Sequence, residues 1–206
     1  MYSKISTPYK FTNDEKKIIQ GNFTSHDDWT KSVFDGIKGN IIDYLRIKQE
    51  NKCCYCRWEL GFDIKEVDIE HIIPKSEYSQ FTFHARNLAL SCPGCNTSKG
   101  KKKVLFKSIT YYPRTGSNIK IIHPHFDNYY KSVEIHDGAV YEGLDDKGCE
   151  TIKKCKLYRL KKVLKKKQEI ATKDTRIKQL VEELRTASQE DRVELAAAIN
   201  ELIGGA

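Results

Sequence analysis

The sequence contains no run of about 18 apolar residues, the shortest length typical of a membrane-spanning helix. Its first residues, MYSKISTPYKFTNDEKK, include neither an apolar core nor a cleavage-like site, so we expect no signal peptide. The chain also has no internal repeat and no low-complexity linker. From the sequence alone, we therefore expect no membrane-spanning segment and a cytoplasmic protein.

The charge of the chain is strongly basic. Among its 206 residues, 36 are Lys or Arg and 28 are Asp or Glu, which gives a formal net charge of +8. Such a balance favours polyanionic partners, nucleic acid first, although ordinary soluble proteins also show it. The length suits one good core with appended helices and is too short for two large domains.

Seven cysteines are present, and four of them form two Cys-x-x-Cys pairs, Cys53/Cys56 and Cys92/Cys95. An x-x spacer lets one tight turn present two sulfurs to a single ion, and four thiolates satisfy tetrahedral zinc. Paired spacing of this kind favours metal binding over disulfides. We therefore predict one structural Zn²⁺ site, while Cys54, Cys149 and Cys155 remain as reduced thiols.

Outside the cysteine region, the patterns predict helices at both ends and short strands between them. The Thr-x-x-Glu spacing at Thr12 indicates a capping box before a first helix. Short β-like pieces occur at 118–122, 133–135 and 139–141, and Asp137-Gly138 predicts a hairpin turn between the last two. The pattern becomes helical from residue 151. His123 and His125, without a further ligand at a suitable distance, indicate local packing.

The residues between the cysteine pairs suggest a hydrolytic centre. Asp68 to Pro74, DIEHIIP, alternates like a half-buried strand, and it carries an adjacent carboxylate and imidazole in Glu70 and His71. A carboxylate is suited to hold a divalent cation, while the imidazole takes a proton from water. Asn96 directly follows Cys95 and can supply a second, neutral oxygen to the cation. A hard cation such as Mg²⁺ or Mn²⁺ prefers this kind of oxygen donor.

The order of these motifs resembles the HNH endonucleases that carry a four-cysteine zinc site. The matching stretches are EHIIPK and NLALSCPGCNTSK, framed by the two cysteine pairs. The resemblance implies a ββα-metal core in which His71 is the general base and Glu70 and Asn96 hold the catalytic metal. It also implies that Asn87 pins the loop that orients His71. Many members have Asp where Glu70 stands, so the metal assignment between Glu70 and Asp68 is open.

With this resemblance, we predict an α+β fold in four parts. These are an N-terminal helical scaffold (1–52), a zinc-stapled HNH core (53–110), a short β-rich extension (111–150) and a long helical C-terminal region (151–206). The basic run after the second cysteine pair is a candidate for DNA backbone contact, although such runs are also common on solvated surfaces. It comprises Lys99, Lys101, Lys102 and Lys103.

The whole chain is similar, more weakly, to the HNH subunit of Septu-type anti-phage systems, including retron-associated versions. That resemblance implies DNA as substrate and an ATPase subunit as partner, docked by the outer helices. We therefore expect a metal-dependent DNA endonuclease. The alternative is a zinc-stapled nucleic-acid-binding or assembly subunit without catalysis, but such a module does not need Glu70, His71 and Asn96 together.

Overall fold

A computed structural model describes residues 3–63 and 65–204 of the chain. They fall into two compact units, one that ends at Tyr158 and one that begins at Arg159. No helix within the described ranges is both long and apolar enough to cross a membrane. The first unit contains the cysteine pairs and every candidate catalytic residue.

The N-terminal part is helical, with a first helix α1 (Asn13–Asn22) and a longer helix α2 (Asp35–Lys48). Thr12 and Glu15 form the expected capping box, in which each side chain accepts from the backbone N–H of the other. Two short 3₁₀ turns connect the helices. Helix α2 buries Ile37, Ile41 and Leu45, four residues apart along one face.

Two strands and one short helix form the centre of the first unit. Strand β1 (Asp68–His71) pairs antiparallel with β2 (Leu88–Ser91), and helix α3 (Pro93–Lys99) follows directly. The register places His71 opposite Leu88 and Asp68 opposite Ser91. Pro93 suits the first turn of α3, because a backbone N–H at this position would have no acceptor within the helix.

Strand β2 is buried along its whole length, which agrees with its continuous apolar sequence. The edge of β2 away from β1 is closed by the buried side-chain amide of Gln49, at the end of α2. Gln49 Oε1 accepts from Leu90 N at 2.7 Å, and Gln49 Nε2 donates to Leu90 O at 3.0 Å. The backbone N–H of Cys54 also donates to Leu90 O, at 2.9 Å. The helical scaffold is thereby fastened to the central sheet by hydrogen bonds as well as by packing.

The rest of the first unit wraps a hairpin and two short helices around this centre: α4 (Tyr129–Ser132), β3 (Val133–His136), β4 (Val140–Gly143) and α5 (Asp146–Lys154). Asp137 and Gly138 form the hairpin turn with φ of 49° and 72°, as the Asp-Gly pair predicts. The strand predicted at 118–122 is wrong. Ile119 makes only an isolated bridge with Leu105 after a 3₁₀ turn, so this segment is held by side-chain burial.

The second unit consists of helices α6 (Arg159–Thr186) and α7 (Gln189–Gly204), which pack against each other. The first nine residues of α6, RLKKVLKKK, contain six basic and no acidic side chains. Both units together contain two two-stranded sheets among many helices within the described residues. The predicted α+β class is confirmed.

Candidate active site and metal centre

The four paired cysteines meet at one point of the first unit. Cys53 and Cys56 lie in a tight turn, and Cys92 and Cys95 lie at the start of α3. Their sulfurs all lie within 4.8 Å of one another, and the Sγ atoms of Cys56 and Cys92 are 3.8 Å apart. A Zn–S bond of about 2.3 Å gives a tetrahedral S–S edge of about 3.8 Å. The spacing of these sulfurs therefore suits one four-coordinate ion.

The three remaining cysteines are in no disulfide bond, as the sequence suggests. Cys54 and Cys155 are buried, and burial raises the pKa of both thiols well above the usual range. Cys149 is exposed on α5. None of the three belongs to the cluster.

His71 ends β1 and is buried at the base of a cleft. Its Nε2 lies 3.1 Å from the carbonyl oxygen of Thr82, and its ring meets Trp29 edge to face at a centroid distance of 4.7 Å. Because a carbonyl only accepts, Nε2 carries the proton, and Nδ1 is the nitrogen left to accept one. Burial, with a contribution from nearby Lys75, lowers the pKa of His71 to about 3. The imidazole is therefore neutral at physiological pH.

Glu70 precedes His71 and contacts a different set of residues, as alternation along a strand requires. Its carboxylate forms an ion pair with Lys99, and Tyr55 donates to Oε1 at 3.2 Å. The two charged side chains are 1% and 2% exposed, and Lys99 also donates to the carbonyl of His71 at 2.7 Å. Burial raises the pKa of Glu70, although Lys99 opposes the shift. Lys99 thus ties the catalytic strand to α3.

Asp68 and Asn96 form a second polar contact between β1 and α3. Asn96 Nδ2 donates to Asp68 Oδ2 at 2.8 Å. An ionised carboxylate only accepts, so this bond fixes which end of the amide faces Asp68 and leaves Asn96 Oδ1 free to ligate. The structure therefore brings Asn96 to Asp68, whereas the family resemblance predicts that Asn96 shares a metal with Glu70.

Asn87 is fully buried just before β2, where its amide bonds the chain that follows His71. Its Oδ1 accepts from Ile73 N at 2.8 Å, and its Nδ2 donates to the carbonyls of Ile73 and Phe81 at 3.0 and 3.1 Å. Phe81 precedes Thr82, the acceptor of the His71 proton. Asn87 therefore bonds the chain two residues after His71 and one residue before Thr82.

A cleft of about 440 Å³ opens above these residues. Its lining includes the predicted residues Glu70, His71 and Asn96, together with Asp68, Lys75 and Lys101. The oxygen donors among them are the kind that a hard divalent cation prefers. Asp68, Glu70 and Asn96 are residue types that such a cation can use as ligands, but the Glu70 carboxylate is paired with Lys99 in this structure.

The basic run does not act as one surface. Lys101 and Lys103 are exposed, but Lys102 donates to the carbonyls of Ser98 and Lys154 at 2.7 and 2.8 Å. Lys99 is buried against Glu70, a position that does not agree with the expected phosphate contact. The sequence shows only that Lys99 belongs to a basic run, and such a run does not indicate which of its side chains is buried.

Sequence reasoning missed several residues that support the site. Trp29 packs on His71 from a turn 42 residues earlier, and nothing in the local pattern marks it. Tyr55 lies between Cys53 and Cys56, the first cysteine pair, so its place beside the centre could have been inferred from the metal site alone. Lys75 follows the EHIIP motif directly and lines the cleft.

Comparison with known proteins agrees with this geometry. The HNH endonuclease family model matches residues 53–102. Septu protein PtuB of Bacillus thuringiensis is 32% identical over 96 residues, which is 46% of this chain and 35% of the relative. A retron Vc95 protein of Vibrio cholerae serotype O1 biovar El Tor, described as an HNH endonuclease, is 31% identical over 90 residues, 42% of each chain.

The matched parts therefore cover well under half the length of either relative. No solved structure matches the chain significantly. The family match begins at the first cysteine of the cluster and ends just after α3, so it coincides with the two strands and the helix that build the cleft. The resemblance read from the sequence is confirmed by the match of residues 53–102, the HNH domain, to the HNH endonuclease family model.

Proposed function

We propose that this chain is a metal-dependent endonuclease that hydrolyses phosphodiester bonds in DNA. The observation that carries the proposal is the state of His71: a buried, neutral imidazole whose Nε2 is held by Thr82 and whose Nδ1 can accept a proton. A base of this kind, next to oxygen donors in one cleft, suits the activation of water. A binding module does not need this arrangement.

Two metal ions belong to the proposal. Zn²⁺ would occupy the cysteine cluster, where the sulfur spacing matches tetrahedral coordination. Mg²⁺ or Mn²⁺ would be held in the cleft by Glu70 and Asn96, with Asp68 hydrogen-bonded to the Asn96 amide. Such a cation supplies charge stabilisation to a scissile phosphate and to the leaving oxygen. Its binding would compete with the Lys99 ammonium for the Glu70 carboxylate.

The residues of the chain then have distinct tasks. His71 Nδ1 takes the proton of the attacking water, while Nε2 remains bonded to the Thr82 carbonyl and fixes the orientation of the ring. Asn87 holds the backbone at Ile73 and Phe81, close in the chain to His71 and Thr82 respectively. Lys101, exposed at the rim of the cleft, contacts the DNA backbone without reading its sequence.

The setting we propose is an anti-phage defence complex. Its support is the similarity to a Septu protein and to a retron protein described as an HNH endonuclease. The nuclease would then work beside an ATPase subunit, which the helices outside the HNH domain would contact. Since the matches cover 35% and 42% of these relatives, partner and substrate are inferences for this chain.

The test is cleavage of plasmid and single-stranded DNA by the purified, zinc-loaded chain in Mg²⁺ or Mn²⁺. His71→Ala is expected to lower the rate by about 10²- to 10⁴-fold, the usual contribution of a general base. His136→Ala is the matched control, because this histidine lies on the β3–β4 hairpin and is partly exposed. EDTA should abolish cutting by every variant.

Two results would contradict the proposal in different ways. Equal cutting by the wild type and His71→Ala would exclude this histidine as the base. Metal-dependent DNA binding without any cutting, alone or with the ATPase, would favour the alternative of a non-catalytic binding or assembly subunit.

A further inference from the structure

One tyrosine of the segment after the HNH domain, Tyr112, contacts the candidate active site. The ring of Tyr112 stacks on His84 at 3.9 Å between centroids and meets Phe81 edge to face at 5.2 Å. Both partners belong to the loop between β1 and β2, which also carries Thr82. Tyr112 therefore packs on the loop that holds the proposed base.

The hydroxyl of Tyr112 lies within hydrogen-bonding distance of three groups. It is 2.8 Å from His123 Nε2, 3.2 Å from Asn87 Oδ1 and 3.0 Å from the carbonyl oxygen of Arg86. The last two groups can only accept, so the direction of the bond to His123 decides whether the tyrosine proton is available to them.

The contacts of His123 settle that direction. Its Nδ1 accepts from the backbone N–H of His125 at 3.1 Å, so Nδ1 carries no proton. The neutral ring must then be protonated at Nε2, which donates to the tyrosine oxygen. His123 is fully buried and stacks on Phe126 at 4.1 Å, so its ring has no freedom to turn. The Tyr112 proton is therefore directed to Asn87 and Arg86.

These bonds form a continuous path from the extension to the base. His123 donates to Tyr112, and Tyr112 donates to Asn87. Asn87 in turn bonds the backbone at Ile73, two residues after His71, and at Phe81, the residue before Thr82. Because Asn87 Oδ1 accepts both Tyr112 and the Ile73 N–H, its amide is fixed against rotation at the oxygen as well as at the nitrogen.

We propose that Tyr112 and His123, which lie outside the residues matched by the HNH family model, are positioning residues for the catalytic centre. They fix the Asn87 amide and thereby the backbone that orients His71. Their catalytic importance rests on the proposed nuclease function, whereas the support of the Ile73 backbone does not.

Hydrogen exchange and kinetics test the proposal together on the full zinc-loaded chain. Tyr112→Phe keeps the ring and removes the hydroxyl, and Tyr111→Phe is the matched control because Tyr111 is 84% exposed. In Tyr112→Phe, the Ile73 amide should exchange at least tenfold faster. The Leu60 amide, bonded to Asn51 at the base of the first cysteine pair, should be unchanged. The kcat for cleavage should fall about tenfold or more with KM unchanged.

His123 supplies the second pair of variants. His123→Gln retains a donor in the position of Nε2 and should keep most of the exchange protection and of kcat. His123→Leu lacks that donor and should behave as Tyr112→Phe does. Rescue by glutamine separates hydrogen bonding from packing, since both replacements alter the buried ring.

Each outcome bears on one of the two claims. Ile73 exchange in Tyr112→Phe equal to that in Tyr111→Phe overturns the proposal. Faster exchange with a wild-type kcat removes the catalytic role and leaves only a structural one. Faster exchange in a chain whose wild type never cuts DNA leaves the support of Ile73 intact and refutes the nuclease function instead.

Discussion

Replacing Lys99 with Met should destabilise the first unit strongly, because it leaves the Glu70 carboxylate buried without its cation. The two side chains are 2% and 1% exposed, so water cannot take over the role of the ammonium. Removing one partner of a buried pair costs about 3–5 kcal/mol. Methionine keeps most of the aliphatic stem, so the loss reports on the charge and on the bond to the His71 carbonyl.

Urea unfolding at a fixed zinc concentration measures this effect. With a slope of about 2 kcal/mol per M, the midpoint should fall by about 1.5–2.5 M. Lys17→Met is the matched control, because Lys17 and its partner Asp14 are 76% and 87% exposed and such pairs contribute little. Its expected change is below about 0.5 kcal/mol.

The double variant Glu70→Gln/Lys99→Met completes the design. With both charges removed, at least half of the stability lost in Lys99→Met should return, since the penalty arises from the unpaired carboxylate. A Lys99→Met protein as stable as Lys17→Met would refute the reasoning that this pair is dry and tightly coupled.

Three further predictions follow from other parts of the molecule. Burial lowers the pKa of His125 to about 4, below the ~6.5 of an unfolded histidine. The stability that depends on neutral His125 is therefore complete above pH ~6.5 and falls as the pH drops toward 4. In this range, His125→Gln should reduce the slope of the unfolding free energy against pH by about 1.4 kcal/mol per pH unit. Cys53→Ser should abolish stoichiometric zinc binding in a metal assay and destabilise the fold, whereas the exposed Cys149→Ser should change neither. Lys101→Gln, which changes the exposed lysine at the rim of the cleft, should reduce the magnitude of the slope of log K for DNA binding against log salt by about 0.9, while Lys178→Gln should not, because Lys178 pairs with Asp174 at 2.8 Å.

The zinc site and the Glu70-His71 motif could be predicted because both depend on residues that are close together in the sequence. Cys53 and Cys56 reach one ion through a single turn, and the alternation around Glu70 and His71 marks a strand. The contacts of Glu70 with Lys99 and of Asn96 with Asp68 could not be predicted, because they depend on how α3 packs against β1.

Longer-range support of the site was also beyond the sequence. Trp29 and Tyr112 approach the centre from 42 residues before and 41 residues after His71, and no local pattern links them to it. The strand predicted at 118–122 failed for a related reason. Its apolar residues are buried as expected, but the neighbouring chain offers only one bridge at Leu105 instead of a partner strand.

The closed edge of β2 limits how this protein can bind others. An exposed edge strand invites a further strand from another chain, either a ligand segment or an aggregating copy. Here β1 covers one side of β2, and Gln49 and Cys54 occupy the hydrogen-bonding groups of Leu90 on the other. Strand addition at β2 would first require the end of α2 to come away. A partner that binds on this side of the sheet must therefore recognise helices or loops, because the backbone groups of Leu90 are already bonded.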